Sequence, residues 1–308
     1  MCGKGLKQTD AIDTAKLIFD TIPRCGTFPY KSDCLKRILL ALGLLFTGFA
    51  NAQMVRQPLS IRYAGLGAYS KKFVDIFSGT SNMASLAQLT AGGFGVYGER
   101  RFLLEELNQY SAVAAMPTSS GTFVVQGDYF GFSDFNENQL GLGYARKISN
   151  AIDIGAKFNY HTVRIAGYGS ASTVNFEVGT IFHLTDRLHT GLNVYNPLSS
   201  KFGNESNERL GSVYRIGLGY EVSDRVLVST EIVKQEDMPV SVNAGLHYNV
   251  QDNIFVRAGI STASNNSFVG AGIRLGLLRV DVNTAYHPQL GFTPGVLLLI
   301  NFKKPEHQ

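Results

Sequence analysis

Between about Gly92 and Phe302 the chain alternates apolar and polar residues with period two, in segments of roughly 10 to 13 residues separated by turn-forming clusters. Ile152, Ile154, Ala156, Phe158 and Tyr160 fall on one face; Asp153, Gly155, Lys157, Asn159 and His161 fall on the other. The same division sets Val240, Val242, Ala244, Leu246 and Tyr248 against Ser241, Asn243, Gly245, His247 and Asn249. It sets Leu278, Val280, Val282, Thr284 and Tyr286 against Arg279, Asp281, Asn283 and His287. Successive side chains of an extended strand point to opposite faces, so this pattern specifies strands with one apolar face.

A soluble sandwich alternates too, but three features favour a transmembrane antiparallel β-barrel. The segments are long: globular strands usually run about five or six residues, whereas a tilted strand crossing a bilayer needs about 9 to 11. The polar face is rich in glycine and carries both charge signs, as a barrel lumen does. Tyr160, Tyr220, Tyr248 and Tyr286 stand near segment ends, where an interfacial aromatic girdle belongs; with no Trp in the chain, Tyr and Phe must supply it. Tight turns (Ser149-Asn150, Thr185-Asp186, Ser223-Asp224, Gln251-Asp252) alternate with looser ones, among them Ala166 to Ser170, Pro197 to Leu210 and Pro288 to Gly291. Short turns face the periplasm and longer loops face outward. The expectation is about fourteen strands over residues 92–302, starting with 92–104 and 107–117, followed by a polar tail at 303–308.

Residues 1–52 read as a leader. Lys36-Arg37 precedes an apolar run from Ile38 to Ala50, and Ala50-Asn51-Ala52 fits a small-residue cleavage site. The run is shorter than the roughly 20 residues a membrane helix needs. The stretch before Leu35 is long for a signal peptide, and initiation near Leu35 is the expectation. All three cysteines (Cys2, Cys25, Cys34) lie in this leader, so the body offers neither disulfides nor cysteine–metal sites. The leader also holds seven of the 28 basic residues and four of the 24 acids, leaving 21 bases against 20 acids. A nearly neutral body has no electrostatic footprint for nucleic acid.

Residues 53–91 break the alternation. Ser81-Asn82 reads as the cap of a short helix running to Leu89. Phe73, Val74, Ile76, Phe77, Met83 and Leu86 need burial, which suits a hatch folded into the lumen.

Here the chain resembles the long-chain fatty-acid transporter (FadL) superfamily, and within it the PorV/PorQ branch associated with type IX secretion. The resemblance rests on Ala64-Gly65-Leu66-Gly67-Ala68, then Asp75-Ile76-Phe77, then Ser81-Asn82-Met83-Ala84-Ser85-Leu86-Ala87, which is similar to that family's Asn-Pro-Ala-Gly-Leu-Ala turn. It departs at Met83 and Ser85, where the family has proline and glycine. The resemblance implies an outer-membrane location and picks out Asp75, Phe77 and Asn82 as hatch or ligand contacts. From the PorV/PorQ branch it implies a barrel that docks secretion-system proteins or secreted cargo. From the wider superfamily it implies the alternative, a channel for small hydrophobic molecules.

Chemical motifs add little. Gly93-Phe94-Gly95-Val96-Tyr97-Gly98 matches G-x-G-x-x-G, but Glu99 to Leu104 reads as continuing strand, not as the helix a dinucleotide site requires. The six histidines have no metal-ligand spacing, so no cofactor or metal is called for. Gly169-Ser170-Ala171-Ser172 follows His161 in the loop beyond it, without a G-x-S-x-G elbow. The expectation is therefore a non-enzyme, with a lipid hydrolase trailing. Lys157, Glu177, Arg215, Glu231, Arg257 and Asp281 fall on polar faces, as do Glu221 and Arg279. Their balanced signs suggest cross-strand pairing that braces a closed lumen. The loop from Asn196 to Gly211 is the longest outer segment and carries Asn204-Glu205-Ser206.

Overall fold

The computed structural model describes residues 67–202, 209–236, 238–263 and 266–303. The leader and its cleavage site, the start of the opening motif (Ala64 to Leu66), the Asn204-Glu205-Ser206 stretch and the tail beyond Lys303 lie outside the described residues.

Fourteen antiparallel strands close into a barrel in sequence order. They are β1 (Gly93–Arg100), β2 (Asn108–Thr118), β3 (Gly121–Gly131), β4 (Phe135–Lys147), β5 (Ile152–Ile165), β6 (Gly169–His183) and β7 (Leu188–Tyr195). Then come β8 (Val213–Ser223), β9 (Val226–Gln235), β10 (Ser241–Asn249), β11 (Ile254–Ser261), β12 (Asn266–Leu275), β13 (Leu278–His287) and β14 (Gly291–Asn301). β1 and β14 pair from Gly93↔Asn301 to Glu99↔Gly295, so no sheet edge remains. In lipid, unpaired backbone groups find no water, and closure is what allows strands to cross. Among the described residues no helix is long and apolar enough to cross a membrane.

The apolar face of each strand points outward. Phe158, Leu142 and Ile216 are exposed while Asp153, Lys157 and Asn159 are buried inside. Aromatic residues form an outward belt at each rim: Tyr110, Tyr129, Tyr214, Tyr286 and Phe292 at one end, and Phe94, Phe123, Tyr144, Tyr220 and Tyr248 at the other. This is the surface of an outer-membrane β-barrel. The end with tight turns and the first and last strand termini is the periplasmic one by the same rule.

Two sequence expectations are corrected locally. The first strand ends at Arg100, not Leu104, because Phe102 and Leu103 adopt φ of 54° and 62° and turn the chain through two short 3₁₀ turns before β2. Arg101 folds back onto Glu99 at 3.0 Å and the Phe102 N–H donates to Thr293 Oγ1 at 3.1 Å, anchoring that reversal. The loose loop expected from Ala166 to Ser170 is a tight turn, since the β5–β6 ladder runs out to Ile165↔Gly169. The short helix expected after Ser81-Asn82 is present, as a 3₁₀ helix over Met83–Gln88 capped by Asn82.

Candidate functional site

Residues 67–91 lie inside the barrel and fill its periplasmic half. Glycines on the wall make room for them. Tyr69 rests its ring on Gly217 and its carbonyl on Gly219; a Cβ there would come within 1.9 Å and 1.8 Å of them. Gly155 seats Met83 and Ala84, and Gly179 seats the Asn82 amide. The first missing signal for this seat was therefore glycine on the polar face, legible as alternation but silent about what sits on it.

Asn82 serves two ends. Its Oδ1 accepts from the Ala84 N–H at 3.0 Å, capping the 3₁₀ helix. Its Nδ2 donates to the carbonyls of Thr180 and Leu192 at 3.2 and 3.1 Å, tying the segment to β6 and β7. A Ser, Thr, Asp or Asn cap oxygen satisfies an orphan helical N–H.

Asp75 faces the opposite side of the lumen. Its Oδ2 accepts from Arg279 at 3.0 Å and Arg257 at 3.5 Å. Its Oδ1 accepts from the Phe77 and Ser78 N–H groups at 2.9 and 3.1 Å. Burial pulls the Asp75 carboxyl upward, but Arg279, Arg257 and these hydrogen bonds outweigh it and hold it below its ordinary value. Asp281 accepts from Arg279 Nε at 2.8 Å and from Arg257 at 3.4 Å. The guanidiniums of Arg257, Arg274 and Arg279 all lie 4.7–4.8 Å from the Phe255 ring centroid, a cation–π cluster within the wall.

Asp75→Asn removes the anion that faces Arg257 and Arg279. Breaking a buried pair costs about 3–5 kcal/mol, so amide exchange at Phe77 and Ser78 should accelerate strongly while the strands keep their protection. The pH dependence has a definite sign. A depressed carboxyl value means the contact stabilises at and above the ordinary aspartate range, about pH 3.9, and is lost as pH falls below it. Exchange at the same two amides, followed down through that range, checks this.

Glu231 gathers the first turn of the segment. It accepts from Tyr69 Oη at 2.9 Å, Ser81 Oγ at 3.3 Å and Asn243 Nδ2 at 3.2 Å. Burial, and then the Glu231 carboxylate, push the Tyr69 phenol well above its ordinary value, so it donates as a neutral group. Glu221 accepts from Ser70 Oγ at 2.6 Å and from the Lys71 N–H at 2.7 Å. Lys72 reaches Asp224 in the periplasmic turn, and its hydrogen bond lowers that carboxyl. Tyr69 and Glu231 stand 162 positions apart in the chain, and no local pattern pairs them.

Above the segment, side chains brace the lumen between β3 and β7. Lys157 meets Glu177 at 3.0 Å, both buried, with Gln126 and Asn193 completing the group. A closed ring of hydrogen bonds runs Gln139–Asn159–Asn175–Tyr195 and back to Gln139, each 3.0 or 3.1 Å. Arg215 is buried on the same side, next to Asn193 in register. At the outer mouth Phe202 turns inward against Val163, Tyr195, Leu210 and Val213.

Phe77 lies in a different environment. It packs with Ile76, Met83 and Leu86 against Tyr97, Val113, Val124, Leu297 and Leu299, which are inward-facing residues of β1, β2, β3 and β14. One side of the lumen is thus apolar. That departs from the expected polar lining. Both faces of Leu297 to Ile300 are apolar, so alternation carries no signal there.

The serine and histidine weighed for hydrolysis do not meet. His161 is opposite Thr173 and buried against the Phe202 ring, while Ser170 is opposite Arg164 near the exposed rim. Glu137 Oε2 lies 3.4 Å from His161.

No family model and no curated protein matches the chain. Solved structures do match its fold. The monoaromatic hydrocarbon channel CymD superposes with a TM-score of 0.58 at 11% identity, covering 81% of this chain and 100% of that one. The Pseudomonas putida toluene transporter TodX gives 0.57 at 10%, covering 78% and 99%. A Pseudomonas aeruginosa FadL homologue gives 0.50 at 9%, covering 81% and 98%. The shared architecture is the FadL-like barrel; the first two of these neighbours are described as a channel and a transporter.

Proposed function

We propose that this barrel passes small hydrophobic molecules across the outer membrane, with residues 67–91 acting as its hatch. The observation that carries the reading is the apolar quadrant inside the lumen, where Phe77 and Met83 of the segment face Val113, Val124 and Leu297. A pore for hydrated solutes gains nothing from such a lining. With the hatch seated this lining is covered by Phe77 and Met83; once the hatch is displaced, a hydrophobic permeant reaching it leaves water favourably, at roughly 25 cal/mol per Å² of apolar area. Likeness to a monoaromatic hydrocarbon channel and a toluene transporter supports the reading. In this reading Asp75, Phe77 and Asn82 hold the hatch, and Lys157, Glu177, Arg215, Glu231, Arg257 and Asp281 keep the lumen closed around it.

No observation favours the docking of secretion proteins or cargo that the PorV/PorQ resemblance implied. The test is uptake of labelled toluene by cells carrying the mature protein in the outer membrane. Uptake severalfold above an empty-vector strain is expected, with no gain for a charged solute of similar size. Equal uptake in both strains would refute the channel reading.

A further inference from the structure

At the periplasmic rim four buried titratable residues from four consecutive strands form one chain. Asp153 Oδ2 of β5 lies 2.8 Å from His183 Nε2 of β6. His183 Nδ1 lies 2.9 Å from His189 Nδ1 of β7, with the rings nearly perpendicular. His189 Nε2 lies 3.3 Å from Glu221 Oε1 of β8. Both ends of this chain grip the lumenal segment. Gln88 Nε2 donates to Asp153 Oδ2 at 2.6 Å near the segment's end. Ser70 Oγ and the N–H groups of Lys71 and Lys72 donate to Glu221 Oε1 near its start.

The contact between the two Nδ1 atoms carries the inference. At 2.9 Å the gap accommodates one hydrogen: one ring donates and the other accepts. The carboxylates at the far ends favour N–H at each Nε2, so the one hydrogen shared between the Nδ1 atoms makes one ring of the closed pair an imidazolium and leaves the other neutral. When both rings are cationic, each presents an Nδ1–H, two hydrogens meet in one gap, and two positive charges face each other in a buried site. We propose that the His183–His189 contact is an acid-sensitive latch that positions the lumenal segment, closed while the pair shares one hydrogen and released when both rings are protonated. The other charged groups at this rim include Lys71 and Lys72 of the segment, Lys147 of β4 opposite Asp153 in register, Asp186 and Arg187 in the β6–β7 turn and Asp224 in the β8–β9 turn. Lys72 and Asp224 pair with each other; histidine is the side-chain type whose charge changes between about pH 5 and 8. The Asp75 contact fails only in stronger acid, so the two effects separate on the pH axis. The inference deepens the channel reading, because the latch is where that reading's hatch is held.

The experiment is hydrogen exchange of the whole mature protein in lipid vesicles at about pH 7.5 and pH 5, corrected for intrinsic rates. Wild type is expected to exchange severalfold faster at residues 70–72 and 84–88 in acid, with β5 to β8 unchanged. His189→Asn provides the conservative arm: an amide rotates to accept from a protonated His183, so exchange there should be slow at both pH values. His189→Phe has no hydrogen bond to give and should exchange fast at both. An intact barrel in each variant is checked by its heat-modifiable mobility on a gel. Wild-type exchange that does not respond to acid, or His189→Asn responding as wild type does, would overturn the latch. Because exchange needs no permeant, a negative toluene uptake result would count against the channel and leave the latch standing.

Discussion

Gly217→Val should convert the protein into an ion-conducting pore while leaving the barrel intact. A Cβ at this position would stand 1.9 Å from the Tyr69 ring, far inside contact distance. The ring has nowhere to go, because its hydroxyl is bound to Glu231 at 2.9 Å and its own carbonyl sits against Gly219. The strand, by contrast, gains a residue it favours. The segment therefore yields and the wall does not. Leaving its seat strips Glu231 of the Tyr69 and Ser81 donors, and a buried acceptor left unsatisfied costs about 1–3 kcal/mol each. Planar-bilayer recordings should show frequent long openings that wild type lacks. Gly127→Val, at a β3 glycine where a Cβ meets nothing within 4 Å, is the control and should behave as wild type. Silent recordings from Gly217→Val would mean that residues 67–91 are not what closes the barrel.

Lys157→Met should cost the barrel about 3–5 kcal/mol of stability. Lys157 and Glu177 are both 2% exposed in their side chains and lie 3.0 Å apart. Removing the ammonium leaves Glu177 with the Asn193 amide, at 3.0 Å, and no cation. Breaking a buried ion pair from one side costs about 3–5 kcal/mol, whereas replacing both partners with packed apolar residues is close to neutral. The double variant Lys157→Met, Glu177→Leu should therefore recover most of the loss. Urea titration of the barrel in vesicles measures both. A double variant as unstable as the single one would show that the two residues act on stability separately.

Parts of the lumenal site were legible early. Asn82 was marked as a cap by the run that follows it, and Asp75 by its place in the opening motif, because capping and turn signals act over three or four residues. Alternation places Lys157 and Glu177 on one face of neighbouring strands, and the β5–β6 register sets them opposite each other. Other parts were not legible. Tyr69 and Gln88 carry no local signal, since each acquires its role from a partner 162 or 65 positions away; His189 meets His183 across the β6–β7 hairpin, and alternation does not say which lumenal histidines touch. The apolar quadrant behind Phe77 escaped for a different reason: when both faces of a strand are apolar, alternation vanishes.

The sequence by itself determined that this chain forms strands, about how many, and which side chains face inward, because strand geometry repeats every two residues and turns are encoded by the few residues that make them. Only the tertiary structure decided what fills the barrel. Closing fourteen strands brings β5 to β8 beside both ends of residues 67–91 and β11 to β13 beside Asp75, and it lines up glycines from separate strands into a seat. Those meetings depend on register and closure, which are properties of the whole sheet and of no single segment within it.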